Sequence, residues 1–473
     1  MVFSSATFLY AFLPLTLLIY FIAPKKARNA VLLVASLIFY AFGEPVYVIL
    51  LLVSSVSDYL HSLYIENHRG MRSAKVALIS SVIINLGLLG FFKYADFFIG
   101  TINSVFLFLT DNVSFLSAYD LEIPLIGVTL PIGISFYTFQ TMSYTIDVYR
   151  GRVHAQKNLI SLATFVCLFP QLIAGPIVLY ADVEKELVDR QTRIEDLALG
   201  IRRFVIGLGK KMLLANTLGE LCDKFMNTTE RTVLFSWLYA IAFALHIYFD
   251  FSGYSDMAIG LGRMFGFRFP ENFNYPYQSR SIAEFWRRWH MTLGGWFREY
   301  LYIPLGGNRV STRKWIGNIA IVWLLTGLWH GAAWNFILWG AMFGLLLATE
   351  KFWLKDWAPA LFRHVYVLLL VVISFVIFNA TSVADAFDTI GRMFGGYGAE
   401  LVNEESLHLL RSYAVPIVLG IIGATALPKK LALRLEKHKI VTVLEPIFVA
   451  GLLLLCTACI IGGSFNPFIY FRF

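Results

Sequence analysis

Two histidines, His290 and His330, carry the chemistry this sequence could do, because each stands among tryptophans in an otherwise apolar stretch. His330 lies in Leu328-Trp329-His330-Gly331-Ala332-Ala333-Trp334-Asn335, between two strongly apolar runs. Ionisable groups at bilayer depth are expensive and mark function by default. A neutral imidazole in a dry site can accept the proton of an attacking hydroxyl at physiological pH without a metal. Trp334, four residues on, is predicted to share the face of His330 if the helix continues, forming a ring wall beside the imidazole. The competing reading is a packing histidine tied to a backbone carbonyl. His290 falls in Ser281–Tyr300, which reads as one interfacial amphipathic helix with Ile282, Phe285, Trp286, Trp289, Leu293, Trp296 and Phe297 on one face and Arg287, Arg288, Arg298 and Glu299 elsewhere. At the edge of that face His290 points towards protein, in a structural or a functional role.

A third polar island, Tyr248–Asp256, offers Asp250 with Tyr254 and Ser252 with Asp256 as i,i+4 pairs, predicted to hydrogen-bond within their own helix as a structural network. Ten of the eleven tryptophans fall between Trp286 and Trp357. An interfacial belt would recur at helix ends along the whole chain, so a lined cavity competes with it, with Trp329, Trp334 and Asn335 as candidate lining. Arg280, Arg287, Arg288, Arg298, Arg309, Arg313 and Lys314 form the densest basic stretch nearby, suited to an anionic donor or to plain membrane anchoring. There is no metal site, since the two histidines lack a third ligand and no H-E-x-x-H occurs. No G-x-x-x-x-G-K-[ST] loop is present either, so coupling to ATP is not expected. Cys456 and Cys459 form a C-x-x-C inside an apolar stretch and read as packing.

The elements that must position these residues are membrane helices. With 58% hydrophobic and 15% charged residues the chain cannot coat a water-soluble body, and its net charge of +8 fits loops facing anionic lipid better than a nucleic-acid partner. Apolar runs begin at Thr7–Ala23 and include Val76–Phe92, Ala95–Phe108, Leu159–Ile177, Phe204–Leu221, Val233–Phe249 and Ile316–Trp329 before ending at Val441–Ile461, about a dozen candidate helices. A single integral domain follows, with N-terminal helices over 1–128, a motif-bearing core over 129–350 and C-terminal helices over 351–473. Basic loops at Lys25–Arg28, Arg69–Lys75, Lys351–Lys355 with Arg363, and Lys429–Lys439 are assigned to the cytoplasm, which leaves Met1, Ala380–Arg411 and Phe473 outside.

Six strings carry a resemblance: Leu130–Arg150, Phe169–Pro176, Tyr248–Gly260, Glu284–Arg309, Leu328–Gly340 and the ending Pro467–Phe473. Together they are similar to the membrane-bound O-acyltransferase family, most closely its bacterial branch that O-acetylates polysaccharides such as alginate. The resemblance implies a helical bundle around a central tunnel, about 11–13 membrane helices plus interfacial ones, in a bacterial inner membrane. It implies that His330 is the family's near-universal histidine and His290 the second polar position. It also implies acetyl-CoA as cytoplasmic acyl donor with no tightly bound cofactor, and a cell-surface polysaccharide as acceptor. Transfer is direct or relayed through an extracytoplasmic SGNH-hydrolase-like acetyltransferase partner, to which the aromatic tail could dock. D-alanyl transfer to teichoic acid from a carrier protein belongs to a similar branch, and the Tyr302–Arg309 string favours the polysaccharide one. A transporter or a non-catalytic scaffold are the remaining alternatives.

Overall fold

The computed structural model describes residues 1–112, 122–354, 358–463 and Phe468. Lys355, Trp357 and the Pro467–Phe473 ending, apart from Phe468, lie outside the described residues. Among the described residues every regular element is helical. In chain order the helices are α1 (Leu13–Ile22), α2 (Arg28–Ala41), α3 (Val48–Asn67), α4 (Arg72–Asn112), α5 (Ile134–Arg150), α6 (Leu159–Cys167), α7 (Phe169–Leu172), α8 (Tyr180–Val188), α9 (Ile194–Gly209) and α10 (Asn216–Met226). There follow α11 (Val233–Met264), α12 (Ile282–Trp286), α13 (Met291–Phe297), α14 (Thr312–His330), α15 (Trp334–Phe352), α16 (Ala360–Asn379), α17 (Val383–Met393), α18 (Glu404–Gly423), α19 (Leu427–Leu435) and α20 (Lys439–Gly462). Six of them, α3, α4, α11, α16, α18 and the Val443–Gly462 part of α20, are long and apolar enough to cross a bilayer. The protein is an all-α polytopic membrane protein.

Three apolar runs fold differently from their sequence reading. Val76–Phe92 and Ala95–Phe108 are parts of one 41-residue helix, α4, because Lys93, which looked like a boundary, finds acceptors inside the protein. Leu159–Ile177 does not form one helix. It breaks at Leu168, whose ψ of 110° is non-helical, and restarts with Pro170 in the first turn of α7, where a proline's missing N–H is harmless. Gln171 closes the break by donating to Phe165 O at 2.6 Å.

Helix α11 is buried around most of its circumference, as a helix apolar on all sides must be. Along α9 it packs through facing glycines: a Cβ on Gly207 would lie 2.6 Å from Gly253 O, and one on Gly260 2.6 Å from Gly200 O. Small residues let the two backbones approach, which is how helices associate in lipid, where hydrophobicity alone gives no drive. One apolar core gathers α1 to α9 with the C-terminal half of α11, and a second gathers α10, the N-terminal half of α11 and parts of α12 and α14 to α18. The start of α11 pairs with the 400–401 segment, Val233 N donating to Glu400 O at 2.9 Å. Its other end meets α1, where Tyr20 Oη donates to Phe265 O at 2.7 Å. Ala380–Arg411 and the Lys25–Arg28 loop therefore lie at opposite ends of the 32-residue α11.

Candidate active site

Helix α14 ends at His330, and the next residues are extended, Gly331 with φ −169° and Ala333 with φ −153°. The turn is tight because α14 and α15 touch through glycines. A Cβ on Gly327 would lie 2.3 Å from Phe336 O, and one on Gly340 2.3 Å from Trp323 O. The helix does not continue, so Trp334 cannot wall His330 as its i+4 spacing suggested. It is 56% exposed and packs on Phe97 of α4. The rings around His330 are instead Trp329 at 5.0 Å, Trp339 at 5.0 Å and Phe378 at 5.3 Å. Trp329 belongs to the first apolar core and Trp339 and Phe378 to the second, so His330 is buried at the seam between them.

The C-terminal carbonyls of α14 need partners from outside the helix. Tyr94 Oη donates to Leu328 O at 2.6 Å, and Lys93 Nζ donates to Trp329 O at 2.6 Å with His330 O at 3.5 Å. A cation at a helix C-terminus is also favoured by the helix dipole. Asn335 performs the same service for α16: its Nδ2 reaches Ile377 O, Phe378 O and Ala380 O at 3.3, 3.2 and 3.0 Å. It thereby holds Phe378 against His330.

His290 also approaches Trp329, its ring 5.9 Å from the indole. The single helix expected over Ser281–Tyr300 is in fact α12, a turn, α13 and a π turn at Arg298–Tyr302. The break falls at His290, whose φ of 42° and ψ of 54° are left-handed, a conformation that a non-glycine residue keeps only when its surroundings fix it. The fixing segment is 272–274: Met291 N donates to Asn272 O and Asn274 N to Arg288 O, both at 2.9 Å. Asn272 Oδ1 also lies 3.0 Å from His290 Nδ1 and accepts from Thr292 Oγ1 at 2.9 Å. Because a carboxamide oxygen only accepts, Nδ1 carries the proton and Nε2 is the basic nitrogen. Phe251 packs edge-on against the ring at 4.7 Å.

The remaining predicted residues take other places. Asp250 and Asp256 pair between helices and not within α11. Asp250 Oδ1 is 2.5 Å from Lys211 Nζ, both side chains being buried, while Asp256 accepts from Lys210 at 2.6 Å and Arg203 at 2.9 Å. Ser252 and Tyr254 are buried beside them, and Tyr254 lies between Phe3 at 4.8 Å and Phe468 at 4.5 Å. Arg287 and Arg309 are exposed, and Arg288 pairs with Glu284 at 2.7 Å. Cys456 is buried and Cys459 half-buried, both as free thiols. The sequence reading missed Lys93, Lys211 and Asn272. For Lys211 the signal was present, a lysine inside the run Phe204–Leu221, whereas Lys93 stood between two runs and read as their boundary. Asn272 sits in an irregular segment and left none.

The profile of the membrane-bound O-acyltransferase family matches residues 155–384, which include both histidines. The chain is 42% identical to "Probable alginate O-acetylase AlgI" of Azotobacter vinelandii over 437 residues, 89% of this chain and 85% of that protein. The chain belongs to the membrane-bound O-acyltransferase family. Within it, "Peptidoglycan O-acetyltransferase" of Helicobacter pylori is 34% identical over 85% of this chain and 81% of its own length. "Teichoic acid D-alanyltransferase" of Bacillus subtilis is 30% identical over 54% of this chain and 68% of its own. The protein is thus a multi-pass membrane O-acyltransferase.

Proposed function

We propose that this acyltransferase moves acetyl groups from cytoplasmic acetyl-CoA to an extracytoplasmic polysaccharide, directly or through an exported SGNH-hydrolase-like acetyltransferase, in the inner membrane of a bacterium. The observation that carries the reading is the pair of buried imidazoles around Trp329, His330 5.0 Å and His290 5.9 Å from its ring, closed in by Trp339 and Phe378. Such a pocket excludes water, which would otherwise hydrolyse the thioester. In the transfer, an acceptor hydroxyl gives its proton to His330 as its oxygen attacks the thioester carbonyl. The tetrahedral intermediate expels the CoA thiolate, and the proton passes from the imidazolium to the leaving sulfur. With its Nδ1–H engaged by Asn272, His290 presents Nε2 as a second basic nitrogen, suited to orienting the acceptor hydroxyl.

The acetyl reading is supported over D-alanyl transfer by extent: similarity to these two O-acetylating relatives runs over 89% and 85% of the chain, that to the D-alanyltransferase over 54%. The three-part chain, 1–128, 129–350 and 351–473, acts here as one catalytic unit, with the exposed Arg287 and Arg309 and the Glu284-paired Arg288 towards the donor's diphosphate. The test is a His330→Ala variant in cells that make the glycan: the protein should accumulate in the membrane at normal level while surface O-acetyl groups disappear. Normal acetylation by that variant would refute the reading and favour a scaffold.

A further inference from the structure

Helices α16 and α18 both pack on α11 and leave between them a groove of about 1160 Å³. Its walls are aliphatic, with Ile241 and Leu245 of α11 at the floor and Val365, Leu369 and Ile421 along the sides. Those three side-wall residues are 55%, 40% and 51% exposed, so the slot is built for an apolar occupant. Most of the polar lining, Gln278, Arg280, Glu284, Arg288 and His364, is gathered at the mouth, where His364 Nδ1 lies 3.0 Å from Ser279 O. Glu284 is occupied by Arg288 at 2.7 Å. Arg280 is exposed and has no ion-pair partner among the described residues, which leaves a net positive mouth. Thr425 lines the groove close to the start of α19, where Lys429 and Lys430 add two more cations.

We propose that this groove holds one anionic phospholipid, its phosphate at Arg280 and an acyl chain lying along α16. The dimensions agree: Leu361 to Val372, the lining stretch of α16, rises about 16 Å at ~1.5 Å per residue, close to one leaflet of a ~30 Å hydrocarbon core. Charge agrees as well, since a guanidinium fits a phosphate bidentately, and basic pockets between membrane helices on the positive side of a protein select anionic headgroups. A soluble anion would leave the aliphatic slot unfilled, and a peptide would find no backbone partners along it. The proposal does not depend on the acyl-transfer reading, because the lipid does not react and its phosphate is placed at Arg280, while Arg288, which that reading turns towards the donor, stays paired with Glu284.

The purified full-length protein in detergent is exposed to equal amounts of phosphatidylglycerol and phosphatidylcholine with identical chains, and native mass spectrometry counts the lipid retained. The expected result is one phosphatidylglycerol per protein, held under activation that strips phosphatidylcholine. Arg280→Glu should reduce that retention several-fold, as should Leu369→Trp, which fills the slot and leaves the mouth intact. Inorganic phosphate in excess should not displace the lipid. Equal retention of the two lipids by the unaltered protein would overturn the proposal without any variant having to fold. Full retention by Arg280→Glu, or displacement by phosphate alone, would overturn it too.

Discussion

At the scale of single residues, His330 and His290 differ in what holds them. His330 is positioned by its neighbours' backbone, with Lys93 and Tyr94 on the carbonyls of α14, whereas His290 is positioned through its own ring by Asn272. Removing a general base costs on the order of 10²–10⁴ in rate, so His330→Ala should lower kcat to that extent. Asn272→Ala removes the hydrogen bond that orients His290, about 1 kcal/mol, together with its bonds to Thr292, Ser255 and Gly175, and should lower kcat roughly fivefold to tenfold with little change in the KM for the acyl donor. Steady-state kinetics on the two variants separates the roles, and a KM effect in Asn272→Ala with kcat intact would contradict the orienting role. The Lys211–Asp250 pair makes a stability prediction. Lys211→Met takes away the cation that a buried carboxylate faces, which destabilises by about 3–5 kcal/mol, while Lys211→Met with Asp250→Leu together should recover most of the loss. Thermal unfolding in detergent reads both. Equal losses in the single and double variants would mean that the charges are not coupled.

At the scale of elements, the site depends on how close α14 and α15 come. Gly340 faces Trp323 O at a distance a side chain cannot share. Gly340→Leu must push the hairpin apart, and with it Trp339 away from His330, so it should lower both unfolding temperature and activity. A variant with unaltered stability would show that the helices are not in contact there. This is also where the sequence was least legible. Periodicity located nearly every apolar run and the Trp-rich window, because burial in lipid and clustered rings are written in residue type. The run Ile316–Trp329 put the end of α14 near His330, and Gly331 follows it, but periodicity could not foresee the extended turn and the packing of the hairpin that carry Trp334 away. Nor could it foresee the break at His290, where an amphipathic pattern runs straight through. That break is set by Asn272, eighteen residues away in sequence, and long-range pairing of this kind leaves no local trace. Trp334 and the pairings assigned within α11 failed for the same reason: i,i+4 spacing assumes that the helix continues and that partners lie on it. Both aspartates found cations on α9 or the π turn after it.

At the scale of the whole molecule, the two imidazoles lie at the seam of two apolar cores that share α11, so the site is assembled only when both halves of the fold are joined. With Lys25–Arg28 and Ala380–Arg411 at opposite ends of α11, cysteines placed at Gly70 and Glu400 in a background lacking the native four should report opposite compartments. An impermeant thiol reagent added to intact cells is expected to label the Glu400 position alone, and labelling at Gly70 instead would invert the frame. The most direct measurement combines side and chemistry. The protein is reconstituted into vesicles, oriented with the Lys25–Arg28 face inward, with acetyl-labelled acetyl-CoA sealed inside and the acceptor glycan, with any exported partner, outside. Labelled acetyl should appear on the external glycan with wild-type protein, and should fall to background with His330→Ala present in equal amount. Transfer by His330→Ala at the wild-type rate would contradict the claim that this buried histidine is the general base for acyl transfer across the membrane.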